Sequence, residues 1–131
     1  MEDNNFDTNV LIVDDSSINI RVVSKIIQPL GCQVFAAKSS LQALNLLISH
    51  KPSLIILDIQ MPDMNGFECC ERIKSIASRA DIPIIFLSGS HDEADQIQAK
   101  KLGACAYLTK PFCADELINV VKRVTQVKLA S

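Results

Sequence analysis

The run Leu54-Ile55-Ile56-Leu57 ends in a single acid, Asp58, and Ile59-Gln60-Met61-Pro62-Asp63-Met64-Asn65-Gly66 follows at once. Four large apolar residues with no polar alternation read as a short strand buried on both faces, the kind found in parallel sheets covered by helices. Such a strand cannot stand alone. It needs parallel neighbours on either side and a helix layer above and below. An acid at its C-terminal end, ahead of a Pro/Gly turn, lies where open α/β sheets place their chemistry.

The rest of the chain supplies those neighbours. Asn9 to Val13 is an apolar strand ending in Asp14-Asp15, and Ser16 is a candidate N-cap for a helix over 17–29. Ile18, Val22 and Ile26 mark its apolar face, and Pro29 and Gly31 end it. Cys32 to Ala37 is the next strand, followed by a helix opened by Ser39 or Ser40 with Leu41, Leu44, Leu47 and Ile48 as its stripe. After the Asp58 turn, Asn65-Gly66 introduces a helix carrying Phe67, Cys70, Ile73 and Ala77. The strand Ile84 to Leu87 follows Pro83 and ends in Ser88-Gly89-Ser90. The helix over 92–102 has only Ala94 and Ile97 as an apolar stripe, and is expected to be the least firmly held. Ala104 to Leu108 is the last strand, ending in Thr109-Lys110-Pro111-Phe112. A helix over 114–127 then carries Leu117, Val120, Val121 and Val124, with Ile118 and Val127 beyond that stripe. Five strand-then-helix units predict an α/β domain with a parallel sheet and right-handed crossovers.

The 131 residues suffice for one domain. The organisation expected is a lead over 1–8, the domain over 9–127 and a tail over 128–131. No apolar run reaches membrane-spanning length, and the acidic, polar start Met1-Glu2-Asp3-Asn4-Asn5 is unlike a signal peptide. A net charge of −2 without a basic block argues against direct nucleic-acid or membrane binding. The five cysteines, Cys32, Cys69, Cys70, Cys105 and Cys113, lack metal-ligand spacing; they read as structural thiols, with Cys32 and Cys105 in apolar runs, and point to a reducing cytoplasm.

Parallel strands bring their C-terminal ends to one edge, and four of the five end in polar residues: Asp14-Asp15, Asp58, Ser88 and Lys110. Each has an ordinary explanation taken singly, as helix-dipole charge, turn residue, cap or solvated lysine. Their convergence on one edge points to a site. Three carboxylates and one ammonium leave excess negative charge, and two carboxylates about 4 Å apart repel by roughly 4 kcal/mol at an effective dielectric of 20. All-oxygen ligands favour a hard cation, Mg2+, which readies the site for a phosphoryl group. A carboxylate can itself be the nucleophile, with the Ser88 hydroxyl and Lys110 suited to phosphoryl oxygens. Tyr107, the only tyrosine, reads by itself as an ordinary strand aromatic, and His50 and His91 as surface residues.

The stretches VLIVDDSSINIRVV, LIILDIQMPDMNGFE, IIFLSGS and GACAYLTKPF, in this order, resemble the response-regulator receiver domains of two-component signalling. The resemblance implies a flavodoxin-like (βα)5 fold with strand order 2-1-3-4-5. It implies that Asp58 is the phosphoacceptor, supplied by a sensor histidine kinase or histidine phosphotransfer protein. Asp15 and Asp58 would ligate Mg2+ directly, Asp14 mostly through water, and the Gln60 backbone carbonyl would complete the set. Ser88 and Lys110 would hold the phosphoryl oxygens, with a cis Lys110–Pro111 bond aiming the lysine inward. Gly66 would be structural, and Gln60 and Ser90 would tune acyl-phosphate lifetime. Tyr107 would be a rotameric switch coupled to Ser88, remodelling the face of the fourth helix, fifth strand and fifth helix for a downstream effector. Such a domain is a switch, catalysing only its own phosphotransfer and slow autodephosphorylation. The alternatives are an FMN-binding flavodoxin-like module, for which Asp14-Asp15 is a poor phosphate loop, an aspartate-nucleophile phosphatase, whose D-x-D pattern is missing, and a pseudo-receiver working by shape alone.

Overall fold

The computed structural model describes residues 8–130. The expected lead over 1–8 lies, but for Thr8, outside the described residues, as do Ser131 and the side chain of Val127. The elements are β1 (Asn9–Val13), α1 (Ser17–Ile27), β2 (Gln33–Ala37), α2 (Ser40–Ser49), β3 (Leu54–Asp58), α3 (Gly66–Lys74), β4 (Ile84–Ser88), α4 (Glu93–Lys101), β5 (Ala106–Thr109) and α5 (Ala114–Ala130). All strand pairs are parallel and the sheet order is β2-β1-β3-β4-β5, a flavodoxin-like arrangement.

Side-chain alternation along the central strands builds two cores. Leu11, Val13, Ile55, Leu57, Ile84 and Phe86 face one way and pack with Ala43 and Leu47 of α2, Phe67, Cys70 and Ile73 of α3, and Ala99 of α4. Val10, Ile12, Leu54, Ile56, Ile85 and Leu87 face the other way, against Val23 and Ile27 of α1 and Leu117 and Val121 of α5. β3 and β4 are buried at every position, as a strand covered by helices on both faces must be.

The structure corrects several expected helix faces. In α1 the buried residues are Val23 and Ile27, with Ile20 and Ile26 packed beside them, while Ile18 and Val22 are exposed. This helix carries isoleucine and valine around most of its circumference, so periodicity does not say which side meets the sheet. In α2, Leu47 is buried and Leu44 packs against the core, yet Leu41 and Ile48 face outward and the small Ala43 takes the inner position. Ala77 lies past the end of α3 and is exposed. α4 is thinly anchored as expected, but through Ala99; Ala94 and Ile97 are exposed. Cys105, expected in the core, is exposed, as is Cys113; Cys32, Cys69 and Cys70 are buried, and burial pushes the Cys69 thiol up to about 11. Pro29 falls in a 3-10 turn over Gln28–Leu30 that Gly31 terminates at φ 88°, the left-handed conformation. α5 runs past its expected end at Val127.

Candidate functional site

Register alone brings the first carboxylates together. Val13 pairs with Leu57, so the next residues along each strand, Asp14 and Asp58, leave the sheet side by side. The Asp14 N–H donates to the Ala37 carbonyl at 3.0 Å, which extends the β1–β2 ladder and fixes where its side chain emerges. Asp14 Oδ1 accepts the Ser16 N–H at 2.9 Å, and Ser16 caps α1 by accepting the Asn19 N–H at 3.2 Å. Asp14 is therefore buried at the strand-to-helix turn while Asp15 faces solvent. One carboxylate oxygen from each of Asp14, Asp15 and Asp58 lies within 4.8 Å of the others.

Lys110 enters from the other side. Ser88 pairs with Thr109, the Lys110 N–H donates to the Ser88 carbonyl at 2.7 Å, and the Lys110–Pro111 bond is cis, as expected. The ammonium reaches 3.4 Å from Asp14 Oδ2 and 3.4 Å from Asp58 Oδ1. One cation thus serves two buried acids, with Asp15 at the rim. Asp58 is 5% exposed. Its Oδ1 is, among the described residues, the one buried side-chain oxygen or nitrogen without a well-formed hydrogen bond; Lys110, 3.4 Å away, acts on it mainly through its charge. Burial pushes the Asp58 carboxyl above its usual range; the Lys110 charge opposes this, the Asp14 charge adds to it, and the Gln60 N–H pulls it down. A buried carboxylate oxygen with a lone pair free to donate, beside two further acids, fits a hard divalent cation and an all-oxygen shell.

The hydroxyl side of the site is a chain of hydrogen bonds. Ser88 is fully buried; its Oγ donates to Gln60 Oε1 at 3.2 Å and accepts the Ser90 N–H at 3.0 Å. Ser90 Oγ accepts the Asp92 N–H at 3.1 Å, and Asp92 caps α4 through the Ala94 N–H at 3.1 Å. The Tyr107 hydroxyl donates to the Ser90 carbonyl at 3.0 Å. Gln60, Ser88, Ser90 and Tyr107 are thereby joined across three separate loops and strands. Gly66 closes the turn after Asp58: its N–H donates to the Ile59 carbonyl at 2.8 Å, and a Cβ there would run into the Asp58 carbonyl oxygen and stand 2.8 Å from the Ile59 Cα. Only glycine lets α3 start this close to the end of β3.

Two features of the site's frame lack a signal in the sequence pattern. Asp63 reaches back from the loop after Asp58 to α2, accepting the Leu41 N–H at 3.1 Å and the Ser40 N–H at 3.4 Å, while Ser40 Oγ donates to the Met64 carbonyl at 2.6 Å. Desolvation pushes the Asp63 carboxyl up, but these backbone donors outweigh it and hold it below its usual range. Its position inside a Pro/Gly turn gives no hint of a partner more than twenty residues away. The second is an apolar groove of about 420 Å³ beside Lys110, lined by Val22, Val23, Ile26, Leu87, Pro111 and Phe112. The exposure of Val22 on α1 is the one clue, and it emerges only once the buried face is known.

With this geometry in hand, comparison with known proteins is unambiguous. The family model for the response regulator receiver domain matches residues 10–122. Protein PilG of Pseudomonas aeruginosa is 31% identical over 122 residues, covering 93% of this chain and 90% of PilG. The phosphate regulon transcriptional regulatory protein PhoB of the same organism is 35% identical over 115 residues, 88% of this chain but 50% of PhoB. Among solved structures, the chemotaxis response regulator CheY4 of Vibrio cholerae superposes with a TM-score of 0.83 at 31% identity, covering 89% of this chain and 98% of that one. Fold and sequence agree, and the chain belongs to the response regulator receiver domain family.

Proposed function

We propose that this receiver domain is a Mg2+-dependent phosphoacceptor in which Asp58 takes a phosphoryl group from a phosphohistidine on a sensor kinase or phosphotransfer protein. The observation that carries the reading is the Asp58 carboxylate: buried, with one oxygen unpartnered, between a lysine and two further acids. Asp15 and Asp58, with Asp14 and the Gln60 carbonyl, would hold the ion. A bound Mg2+ supplies positive charge shared between these carboxylates and the incoming phosphoryl oxygens.

The chain's own residues do the rest. Asp58 Oδ attacks phosphorus as the N–P bond of the donor breaks, and the imidazole leaves with the bonding pair. Lys110 is already 3.4 Å from the attacking carboxylate, where it can follow the charge onto the phosphoryl group. Ser88 Oγ–H donates to a second phosphoryl oxygen. Exposed Ile18 and Val22 and the groove running to Phe112 offer an apolar seat from which a donor helix could reach Asp58.

Phosphorylation replaces the single carboxylate charge of Asp58 with a phosphoryl group carrying roughly two negative charges, and shifts the population toward a state with Ser88 and Lys110 engaged. Ser88 carries the change to Ser90 and hence to Tyr107 and the N-cap of α4. α4 buries Ala99 alone, so it is the element that yields most readily, and the α4-β5-α5 face is the surface offered to an effector. The protein is in this reading a switch that turns over only its own phosphoryl group; a pseudo-receiver would have no need of an unpartnered buried acid.

Intact mass after incubation with acetyl phosphate tests the reading. A phosphoryl adduct that requires Mg2+, is cleaved by hydroxylamine and is lost in Asp58→Asn is expected. An adduct that survives in Asp58→Asn, or none from acetyl phosphate or from a phosphohistidine donor, would overturn it.

A further inference from the structure

We propose that the Gln60 side chain is a latch on Ser88: its amide oxygen holds the serine hydroxyl proton away from Asp58, and phosphoryl capture requires this hydrogen bond to open. This rests on the phosphoacceptor reading and adds to it a residue that sets how readily the site engages the group.

Ser88 has one proton to give. Its oxygen accepts the Ser90 N–H, which leaves the hydroxyl proton directed elsewhere, and the proton goes to Gln60 Oε1 at 3.2 Å. Ser88 is fully buried although Gln60 is itself exposed, so the hydrogen bond ties a buried hydroxyl to a side chain at the surface. A phosphoryl oxygen on Asp58 that is to accept from Ser88 must take the place of the amide oxygen. The exchange runs downhill, because the incoming acceptor is anionic and charge-assisted bonds are the stronger ones. It is nonetheless an exchange and not a free gain. The bond lost, a neutral one near the surface, has a net worth equivalent to about a two- to ten-fold change in an equilibrium constant.

The latch also has a route outward. Ser88 Oγ is fixed from behind by the Ser90 N–H, and the Ser90 carbonyl is the acceptor for Tyr107. Gln60 therefore biases the serine whose movement would be felt at the tyrosine, while itself standing on the opposite loop, after β3. It acts through Ser88 and is a positioning residue.

A titration with beryllofluoride at saturating Mg2+ tests this, read by the fluorescence of Tyr107, the only tyrosine, and by the shift in thermal unfolding midpoint. Gln60→Met keeps the length of the side chain and removes the acceptor; Gln60→Ala removes both, and at an exposed position neither threatens the fold. Both are expected to bind beryllofluoride about two- to ten-fold more tightly than wild type. The same substitutions in a Ser88→Ala background are expected to change nothing, since there is no hydroxyl to release. Unchanged or weaker binding by both Gln60 variants, or a gain that persists without the Ser88 hydroxyl, would overturn the latch and leave the phosphoacceptor reading standing. Failure of wild type to bind beryllofluoride at all would overturn both.

Discussion

Replacing Asp58 by asparagine should stabilise the metal-free protein. At an effective dielectric of 20, Lys110 at 3.4 Å attracts the Asp58 carboxylate by about 5 kcal/mol. Asp14, with its oxygen within 4.8 Å, repels it by about 3.5 kcal/mol. The exposed, more screened Asp15 cancels much of the remainder. What is left is the cost of keeping a charged, unpartnered oxygen out of water, about 1–3 kcal/mol. Asparagine keeps the shape without the charge, and the midpoint in EDTA should rise by about 4 °C per kcal/mol for a chain of this size. The folded-state carboxyl lies above its ordinary value of 3.8, so the fold disfavours ionisation. The wild type therefore loses stability as pH rises from that value through the folded-state one; the variant's advantage opens over this window and vanishes below it. Mg2+ should narrow the gap: at ten times its dissociation constant a ligand bound only by the folded state adds about 1.4 kcal/mol, and the variant, short of one charged ligand, gains less. Thermal unfolding at pH 7 in EDTA and in Mg2+ measures all of this. A less stable Asp58→Asn in EDTA, or an equal response of both proteins to Mg2+, would refute the charge-balance reasoning.

Other perturbations separate the frame from the chemistry. Gly66→Ala puts a methyl group into the Asp58 carbonyl and should cost about 1–3 kcal/mol in urea unfolding, with weakened Mg2+ binding because the loop after Asp58 must shift. Asp63→Ala removes the acceptor for two backbone N–H donors at the start of α2 and should cost about 1 kcal/mol at pH 7. Because the folded-state Asp63 carboxyl is held low, its contribution is present above the ordinary carboxyl range and fades as pH falls through the lower folded-state value; urea midpoints of wild type and variant should converge there. Phe86→Ala, at a fully buried position in edge contact with Phe67 at 5.3 Å between ring centroids, should cost about 3–5 kcal/mol by the same assay. Lys110→Met should lower metal-free stability, by leaving Asp14 and Asp58 without their shared cation, and slow adduct formation from acetyl phosphate.

The sequence by itself determined the sheet, its parallel direction and the edge on which Asp14, Asp15, Asp58, Ser88 and Lys110 converge. Unbroken apolar runs such as Leu54–Leu57 leave a strand no solvent face, and parallel strands have only one C-terminal edge. The resemblance supplied the strand order and the cis Lys110–Pro111 bond, both of which the structure contains. Which side of α1 and α2 meets that sheet was decided by tertiary packing. Ile18 and Val22 are as apolar as Val23 and Ile27, and only the position of the helix over β1 and β3 separates them. The same holds for contacts between segments distant in the chain: Asp63 on the Ser40 and Leu41 N–H groups, Gln60 on Ser88, Tyr107 on Ser90. A side chain's local pattern records whether it prefers water or the core. It holds no record of which donor or acceptor the fold will bring within hydrogen-bonding distance, because that distance is set by the crossing of elements and not by any one of them.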